Sequence, residues 1–156
     1  MTESMYVLTK IFDAKPFILI VLCMAGLVYL FRGKMYSLLF IVANFGTAFV
    51  VTILKPLLNI PRPPYGVLDE IGQSFPSWHA AGSAVLCIMI MYIFDDYFSS
   101  GKRIILNTIC TGLLFSVAFS RIYLGVHWVS DVVGGIFLAS IISYVSILFF
   151  KRMKWL

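Results

Sequence analysis

Long apolar stretches, separated by short polar segments, are the feature that most limits what this chain can fold into. Five of them approach the ~20 residues that a helix needs to cross the hydrocarbon of a bilayer. They lie near residues 16–31, 36–54, 77–94, 104–120 and 128–150. Only 12% of the residues are charged, whereas soluble domains carry about 25%. The sequence therefore predicts an all-α integral membrane bundle of about five transmembrane helices and excludes a soluble fold.

The first fifteen residues differ from these spans. Met5–Phe12 reads MYVLTKIF, an apolar segment interrupted by Thr9 and Lys10. Such a segment suits the membrane–water interface better than the hydrocarbon core. We therefore expect residues 1–15 to form an interfacial helix, and residues 1–156 to make up one membrane-embedded domain.

Basic residues indicate how the spans are oriented. Lys and Arg outnumber Asp and Glu by 12 to 7, but no basic run lies on a soluble module, so nucleic acid is not an expected partner. Many of the cations cluster at three turns or ends: Arg32 and Lys34, Lys102 and Arg103, and Lys151, Arg152 and Lys154. The positive-inside rule makes that side cytoplasmic. The loops at 55–75 and 121–127 then lie on the outer side, and we attribute their basic residues to anion binding.

His127 and Asp131 are the first candidates for chemistry. They are four residues apart in SRIYLGVHWVSD, at the start of the last span, so on a helix they share one face. An aspartate that accepts a hydrogen bond from one ring nitrogen leaves the other as a nucleophile or base. An interfacial histidine beside a capping aspartate is the alternative, and it is favoured if these two residues are considered alone.

Three cations near these residues favour the chemical interpretation. Arg121 lies beside His127, and Lys55 and Arg62 follow the second span in KPLLNIPRP, where Pro56, Pro61, Pro63 and Pro64 are expected to stiffen the loop. Lys55 alone fits a lysine that snorkels to the interface. Three cations and two histidines on one predicted side instead indicate a site for a multiply charged oxyanion such as phosphate.

The stretch FPSWHA predicts the start of the third span. Free backbone N–H groups at a helix N-terminus favour a bound anion, and the hydroxyl of Ser77 would add another donor. His79 falls in the first turn, where it could act as a general acid or base. The alternative is a histidine that merely caps the helix.

Together these stretches resemble the three motifs of the type 2 phosphatidic acid phosphatase superfamily. The matching motifs are Lys55-x6-Arg62-Pro63, Pro76-Ser77-x-His79 and Ser120-Arg121-x5-His127-x3-Asp131. They occur in the family's order and spacing across about half of the chain. Trp78 departs from a position that is often glycine. Members commonly have six spans, so the five counted here imply that the family's first span is reduced to the interfacial segment.

The resemblance implies a metal-independent membrane lipid phosphatase without a cofactor. In such an enzyme His127 would attack phosphorus and form a phosphohistidine, and Asp131 would orient it. His79 would protonate the leaving oxygen and then activate water. The phosphoryl oxygens would be held by Lys55, Arg62, Ser77 and Arg121. We expect no metal site, because Asp95 and Asp96 lie on the opposite side and Asp69 and Glu70 are an isolated loop pair.

The substrate is left open by the sequence. The family suggests lipid A 1-phosphate, undecaprenyl pyrophosphate or phosphatidylglycerophosphate, hydrolysed at the periplasmic face of a bacterial inner membrane, and the compact chain favours the first two. Tyr65 and Trp78 are expected at the rim of an opening for the lipid. A phosphotransferase with the same site is one alternative. A transporter or channel subunit is another, although it would place polar groups near the bilayer midplane. The oligomeric state is not predicted.

Overall fold

The computed structural model describes residues 2–68 and 70–156, in which six α-helices and no strands occur. The helices are α1 (Thr2–Ile11), α2 (Ala14–Arg32), α3 (Lys34–Leu58), α4 (Trp78–Ile93), α5 (Ser100–Tyr123) and α6 (Val129–Arg152). The expected all-α fold is confirmed. Helix α1 corresponds to the predicted interfacial segment, and α2 to α6 correspond to the five predicted spans.

Four of these helices, α2, α3, α5 and α6, are long and apolar enough to cross a membrane. The third predicted span, α4, has only sixteen residues and falls short of that length. Eleven of the sixteen are buried. Since a helix that is apolar on all sides belongs inside a bundle, α4 forms the centre and the longer helices surround it.

Small residues allow the neighbours of α4 to approach closely. Ala80, Ala81 and Ala84 are completely buried, and Gly82 lies against α2. A Cβ atom on Gly82 would be 3.2 Å from Cζ of Phe17. Small residues let helices pack tightly inside a membrane, so this part of α4 is suited to hold α2 at a fixed distance.

The basic clusters of the sequence gather at one end of the bundle. Arg32, at the end of α2, pairs with Asp96 at 2.6 Å. Arg103 lies 3.6 Å from Asp95, and the ammonium group of Lys151 lies over the ring of Tyr92. The ends of α2, α4 and α6 and the start of α5 therefore share one face, as the positive-inside interpretation requires.

Two predicted boundaries were wrong in a way that affects the site. Helix α3 continues through Pro56 to Leu58, where Asn59 ends it with a left-handed φ of 48°, so Pro56 does not belong to the loop. Helix α5 continues to Tyr123, which places Arg121 in its last turn instead of in a loop. A proline in the last turn removes only one backbone hydrogen bond, and a cation there is favoured by the helix dipole.

Candidate functional site

The three polar stretches meet at the end of the bundle opposite the basic clusters. His79 lies in the first turn of α4, Arg121 in the last turn of α5 and Asp131 in the first turn of α6. Lys55 lies in the last turn of α3, Arg62 in the segment that follows α3, and His127 in the segment between α5 and α6. Hydrogen bonds join the segments, for example from the backbone N–H of Ser77 to the carbonyl of Asp131 at 3.0 Å.

His127 is held by hydrogen bonds on both ring nitrogens. Its Nδ1 lies 3.3 Å from Oδ2 of Asp131, and its Nε2 lies 3.2 Å from the Nη1 atom of Arg62. The guanidinium can only donate, so Nε2 accepts and Nδ1 carries the proton toward the carboxylate. This assignment follows from the partners. In this tautomer the lone pair of Nε2 points toward the guanidinium of Arg62.

Asp131 is itself fixed by several donors. Its Oδ2 accepts hydrogen bonds from the backbone N–H of Trp128 at 2.8 Å and from the hydroxyl of Ser74. Both Asp131 and Ser74 are completely buried. The carboxylate therefore cannot rotate freely, and it holds the imidazole of His127 in one orientation.

The surroundings of His127 keep its ring neutral. Burial, together with the positive charges of Arg121, Arg62 and Lys55, lowers the pKa of His127 to about 2. A histidine can act as a nucleophile only when one nitrogen is unprotonated. The site thus maintains this form throughout the neutral and mildly acidic range.

Lys55 and Ser77 are two further candidate donors for an anion. The ammonium group of Lys55 donates to the carbonyls of Gln73 at 2.7 Å and Ser74 at 3.4 Å. Ser77 precedes α4, and its buried hydroxyl has no hydrogen-bond partner among the described residues. An unused hydroxyl at a helix N-terminus is a suitable donor for an anion.

Arg121 is fully buried and is paired with a carboxylate. Its two terminal nitrogens donate to Oε1 of Glu70 and to the hydroxyl of Thr9, both at 2.6 Å. The other oxygen of Glu70 lies 3.4 Å from Arg62. Burial opposes ionisation of Glu70, but the hydrogen bond and charge of Arg121 outweigh it and lower the pKa. A carboxylate between two arginines occupies a position that suits another oxyanion.

His79 has a partner from outside the three motifs. Its Nε2 lies 3.1 Å from Oδ1 of Asp13, in the turn between α1 and α2. The neighbouring Trp78 stands edge to face against Phe17. Tyr65 lies on the surface, 67% exposed, with its ring against Trp128. The two predicted rim residues therefore have different surroundings.

Four residues of this site were not found from the sequence. Glu70 was interpreted as half of an isolated loop pair, which was wrong, and its neighbour Asp69 lies outside the described residues. Ser74 and Asp13 were not considered, and Thr9 was noticed only as an interruption of an apolar segment. A polar residue three positions before Ser77 could have been noticed, but Thr9 and Asp13 stand 112 and 66 positions from their partners, and no spacing indicates such contacts.

Close packing between α6 and the segment before α4 depends on Gly135. A Cβ atom there would lie 2.7 Å from the carbonyl oxygen of Ser77 and 3.3 Å from the backbone nitrogen of Ala81. Backbone atoms cannot move aside as a flexible side chain can. Only glycine fits at this position while the Ser77–Asp131 hydrogen bond is kept.

We therefore expect Gly135→Ala to reduce phosphate release strongly, because misplacing reactive groups by ~1 Å can cost ~100-fold in rate. Gly112→Ala in α5 is the matched control, since no atom lies within 4 Å of its Cβ position. Both variants would be assayed in detergent together with their unfolding temperatures. Normal turnover of Gly135→Ala would show that α6 and α4 can separate without disturbing the site.

Comparison with known proteins identifies the family of the chain. The family model of the PAP2 superfamily matches residues 36–155. The chain belongs to this superfamily. Phosphatidylglycerophosphatase B of Bacillus subtilis (strain 168) is 30% identical over 145 residues, which make up 90% of this chain and 71% of the relative. The resemblance of the motifs is thereby confirmed, and the chain is a membrane lipid phosphatase of this superfamily.

Solved structures share the fold. The crystal structure of a transmembrane PAP2 type phosphatidylglycerolphosphate phosphatase from Bacillus subtilis has a TM-score of 0.86 at 24% identity, covering 97% of this chain and 77% of that one. LpxE from Aquifex aeolicus has a TM-score of 0.73 at 21% identity, covering 94% and 84%. These similarities show the fold. The four helices that are long and apolar enough to cross a membrane, together with the relative at 30% identity, support a multi-pass membrane protein.

Proposed function

We propose that the chain hydrolyses a lipid phosphate through a phosphohistidine intermediate. The observation that carries the proposal is the environment of His127, whose Nδ1–H is held by Asp131 while Nε2 faces Arg62. Nε2 attacks phosphorus, and the bond from phosphorus to the leaving oxygen breaks. His79 gives that oxygen a proton. His79 then takes a proton from a water molecule whose oxygen attacks phosphorus. The P–N bond breaks, its electron pair returns to Nε2 of His127, and phosphate is released.

The charge of the phosphoryl group would be neutralised by Lys55, Arg62 and Arg121, with the hydroxyl of Ser77 as a further donor. The pairing of Glu70 with Arg121 and Arg62 supports this assignment, because a carboxylate and a phosphate use the same donors. The lipid phosphate would displace Glu70 as it enters. Electrostatic stabilisation of this kind acts where charge develops in the transition state.

Because three cations perform this neutralisation, we expect the purified protein to release phosphate at full rate in EDTA. Among the described residues there is no group of three His, Cys, Asp or Glu side chains that could hold a metal ion. Phosphate release would be followed before and after dialysis against the chelator. A loss of activity that magnesium or zinc restores would contradict this expectation.

Phosphatidylglycerophosphate is the substrate that we propose first. It is favoured by the relative named phosphatidylglycerophosphatase B, which the chain matches over most of both lengths. Lipid A 1-phosphate, for which the similarity to LpxE provides weaker support, and undecaprenyl pyrophosphate remain candidates.

The decisive experiment measures phosphate release from a panel of these purified lipids in detergent. Fastest turnover of phosphatidylglycerophosphate would support the assignment, and no release from any lipid phosphate would overturn the proposed function. Adding an alcohol acceptor and identifying the products separates hydrolysis from phosphotransfer.

We propose that the site faces the periplasm of a bacterial inner membrane. The arginines and lysines at the ends of α2 and α6 and at the start of α5 lie at the opposite end of the bundle from His79 and His127. The positive-inside rule assigns the end with these basic clusters to the cytoplasm, which leaves the histidines on the other side of the membrane.

Access for the lipid is proposed to be lateral. An apolar cavity of about 220 Å³ lies between α2 and α3 and is bordered by Phe17, Phe45 and Trp78. It adjoins the first turn of α4, where His79 lies. The acyl chains could thus stay among apolar side chains while only the headgroup meets the cations. Tyr65, exposed beside Trp128, would stand at the headgroup level.

If Trp78 borders this opening, Trp78→Gly will change the relative rates among lipids with different headgroups. A soluble phosphate ester will be hydrolysed much as before, because it does not use the opening. Rates for the lipid panel and for p-nitrophenyl phosphate would be compared. An equal change for every substrate would mean that Trp78 serves only as a packing residue against Phe17.

A further inference from the structure

The turn between α1 and α2 reaches into the site beside His79. The two oxygens of the Asp13 carboxylate lie 3.1 Å from Nε2 of His79 and 3.0 Å from Nζ of Lys10. This turn lies outside the 36–155 segment matched by the family model, and it contains none of the three motifs. Its contact with His79 is therefore a property of this chain's N-terminal segment.

Asp13 does not perform the structural task that its position suggests. It is the N-cap residue of α2, where aspartate normally accepts a hydrogen bond from the helix's own backbone. Here its side chain makes no such bond. Burial opposes ionisation of Asp13, but the hydrogen bonds from Lys10 and His79 outweigh it and lower the pKa. The carboxylate is thus ionised and available to His79.

Aromatic packing fixes the turn against α4. Phe12 and Phe17, on either side of Asp13, are both buried, and their rings lie 6.0 Å apart. The ring of Phe17 contacts Trp78 with centroids 5.8 Å apart and fills the space left by Gly82. The backbone of Asp13 is therefore held beside α4 as long as this cluster stays intact.

We propose that Asp13 is a positioning residue for His79, and that the α1–α2 turn thereby belongs to the catalytic site. The proposal rests on the proposed function, in which His79 is the acid and base. A carboxylate accepts only a proton-bearing nitrogen, so Asp13 keeps the proton on Nε2. Catalytic proton transfer then occurs at Nδ1, which has no hydrogen-bond partner among the described residues. Each histidine would have its own carboxylate, Asp13 for His79 and Asp131 for His127.

The role of Asp13 can be separated from a structural role by the leaving group. An alkyl leaving group must be protonated as it departs, whereas p-nitrophenolate leaves without a proton. In Asp13→Asn we expect the first turnover of an alkyl phosphate to slow by about 10- to 100-fold, within the range of general acid catalysis. The first turnover of p-nitrophenyl phosphate will be nearly unchanged, and its later turnovers will be slow, because hydrolysis of the phosphohistidine still needs the base.

Asparagine has nearly the same shape as aspartate and is an equally good N-cap residue, so Asp13→Asn is expected to fold normally. The unfolding temperature in detergent checks this. Glu3→Gln is the matched control, because it removes an exposed carboxylate from the same N-terminal segment. It should leave both substrates unaffected. If Asp13→Asn yields no folded protein, Asp13→Ser, which retains a capping side chain, takes its place.

The double variant provides the second test. Asp13→Asn in a His79→Gln background should cause no further loss, since residues that act through one group are not additive. The role of Asp13 would be overturned if the rate losses of the two single variants multiply in the double variant. It would also be overturned if Asp13→Asn slows the first turnover equally for both leaving groups. If His79→Gln alone retains normal turnover, the proposed function fails instead, because His79 would then be neither acid nor base.

Discussion

We expect His127→Ala to abolish phosphate release while the protein still folds in detergent. The imidazole is the proposed nucleophile, and water has no equivalent position between Asp131 and Arg62 from which to attack. Removing a covalent nucleophile from a site built around it has cost ~10⁶-fold in a well-studied protease. The remaining hydrolysis should therefore be close to the uncatalysed rate. Steady-state assays on phosphatidylglycerophosphate and on p-nitrophenyl phosphate would measure the loss.

A labelled substrate makes this expectation sharper. With ³²P in the transferred group, the wild-type protein should carry an acid-labile phosphoryl group, and His127→Ala should carry none. His79→Gln should accumulate the label when p-nitrophenyl phosphate is used, because phosphorylation proceeds but water is not activated. Near-normal turnover in folded His127→Ala would eliminate the covalent mechanism.

Asp131→Asn is expected to lower kcat by about 100-fold or more, yet less than His127→Ala, because a wrong tautomer impairs the nucleophile without removing it. The amide oxygen can still accept from Trp128 and Ser74, so the geometry is largely kept. What is lost is the negative charge that stabilises the imidazole as it becomes cationic. KM should change little, since Asp131 does not contact the substrate.

Ser74→Ala provides the comparison for Asp131→Asn. It removes one donor to the same carboxylate oxygen while leaving the charge in place, so its effect should be much smaller. Kinetics of both variants with one lipid substrate would distinguish the contributions of charge and orientation. Equal losses would mean that orientation dominates, and a normal rate for Asp131→Asn would mean that the charge is not used.

The helices were predictable because the bilayer sets their length and composition. Five apolar stretches gave α2 to α6 with ends displaced by a few residues. Larger displacements arose where polar residues continue a helix beyond hydrocarbon, as at Lys55 and Arg121. The length of α4 was predicted to within two residues, but its buried position at the centre of the bundle was not foreseen. Its burial removes the need to match the bilayer thickness, and burial depends on neighbours that the local sequence does not reveal.

The core of the candidate site was also predictable, since His127 and Asp131 are related by helical periodicity and the cations lie in or beside the connecting segments at one end of the bundle. Asp13, Thr9 and Glu70 were not, because their roles depend on contacts between distant helices. Thr9 and Lys10 were noticed only as interruptions of an apolar segment. In the structure these two polar side chains make contacts instead: Thr9 accepts a hydrogen bond from Arg121, and Lys10 donates one to Asp13.

Glu70 gives the resting site an internal anion. It is tied to Arg62 by a loop of only eight positions, and a ligand on a short flexible tether acts at an effective concentration of about millimolar. Every phosphate that enters, substrate or product, would have to compete with it. Such competition weakens the binding of substrate and product equally. It therefore raises KM without raising the barrier from the bound substrate to the transition state. The enzyme would thereby release inorganic phosphate readily, even where phosphate is plentiful.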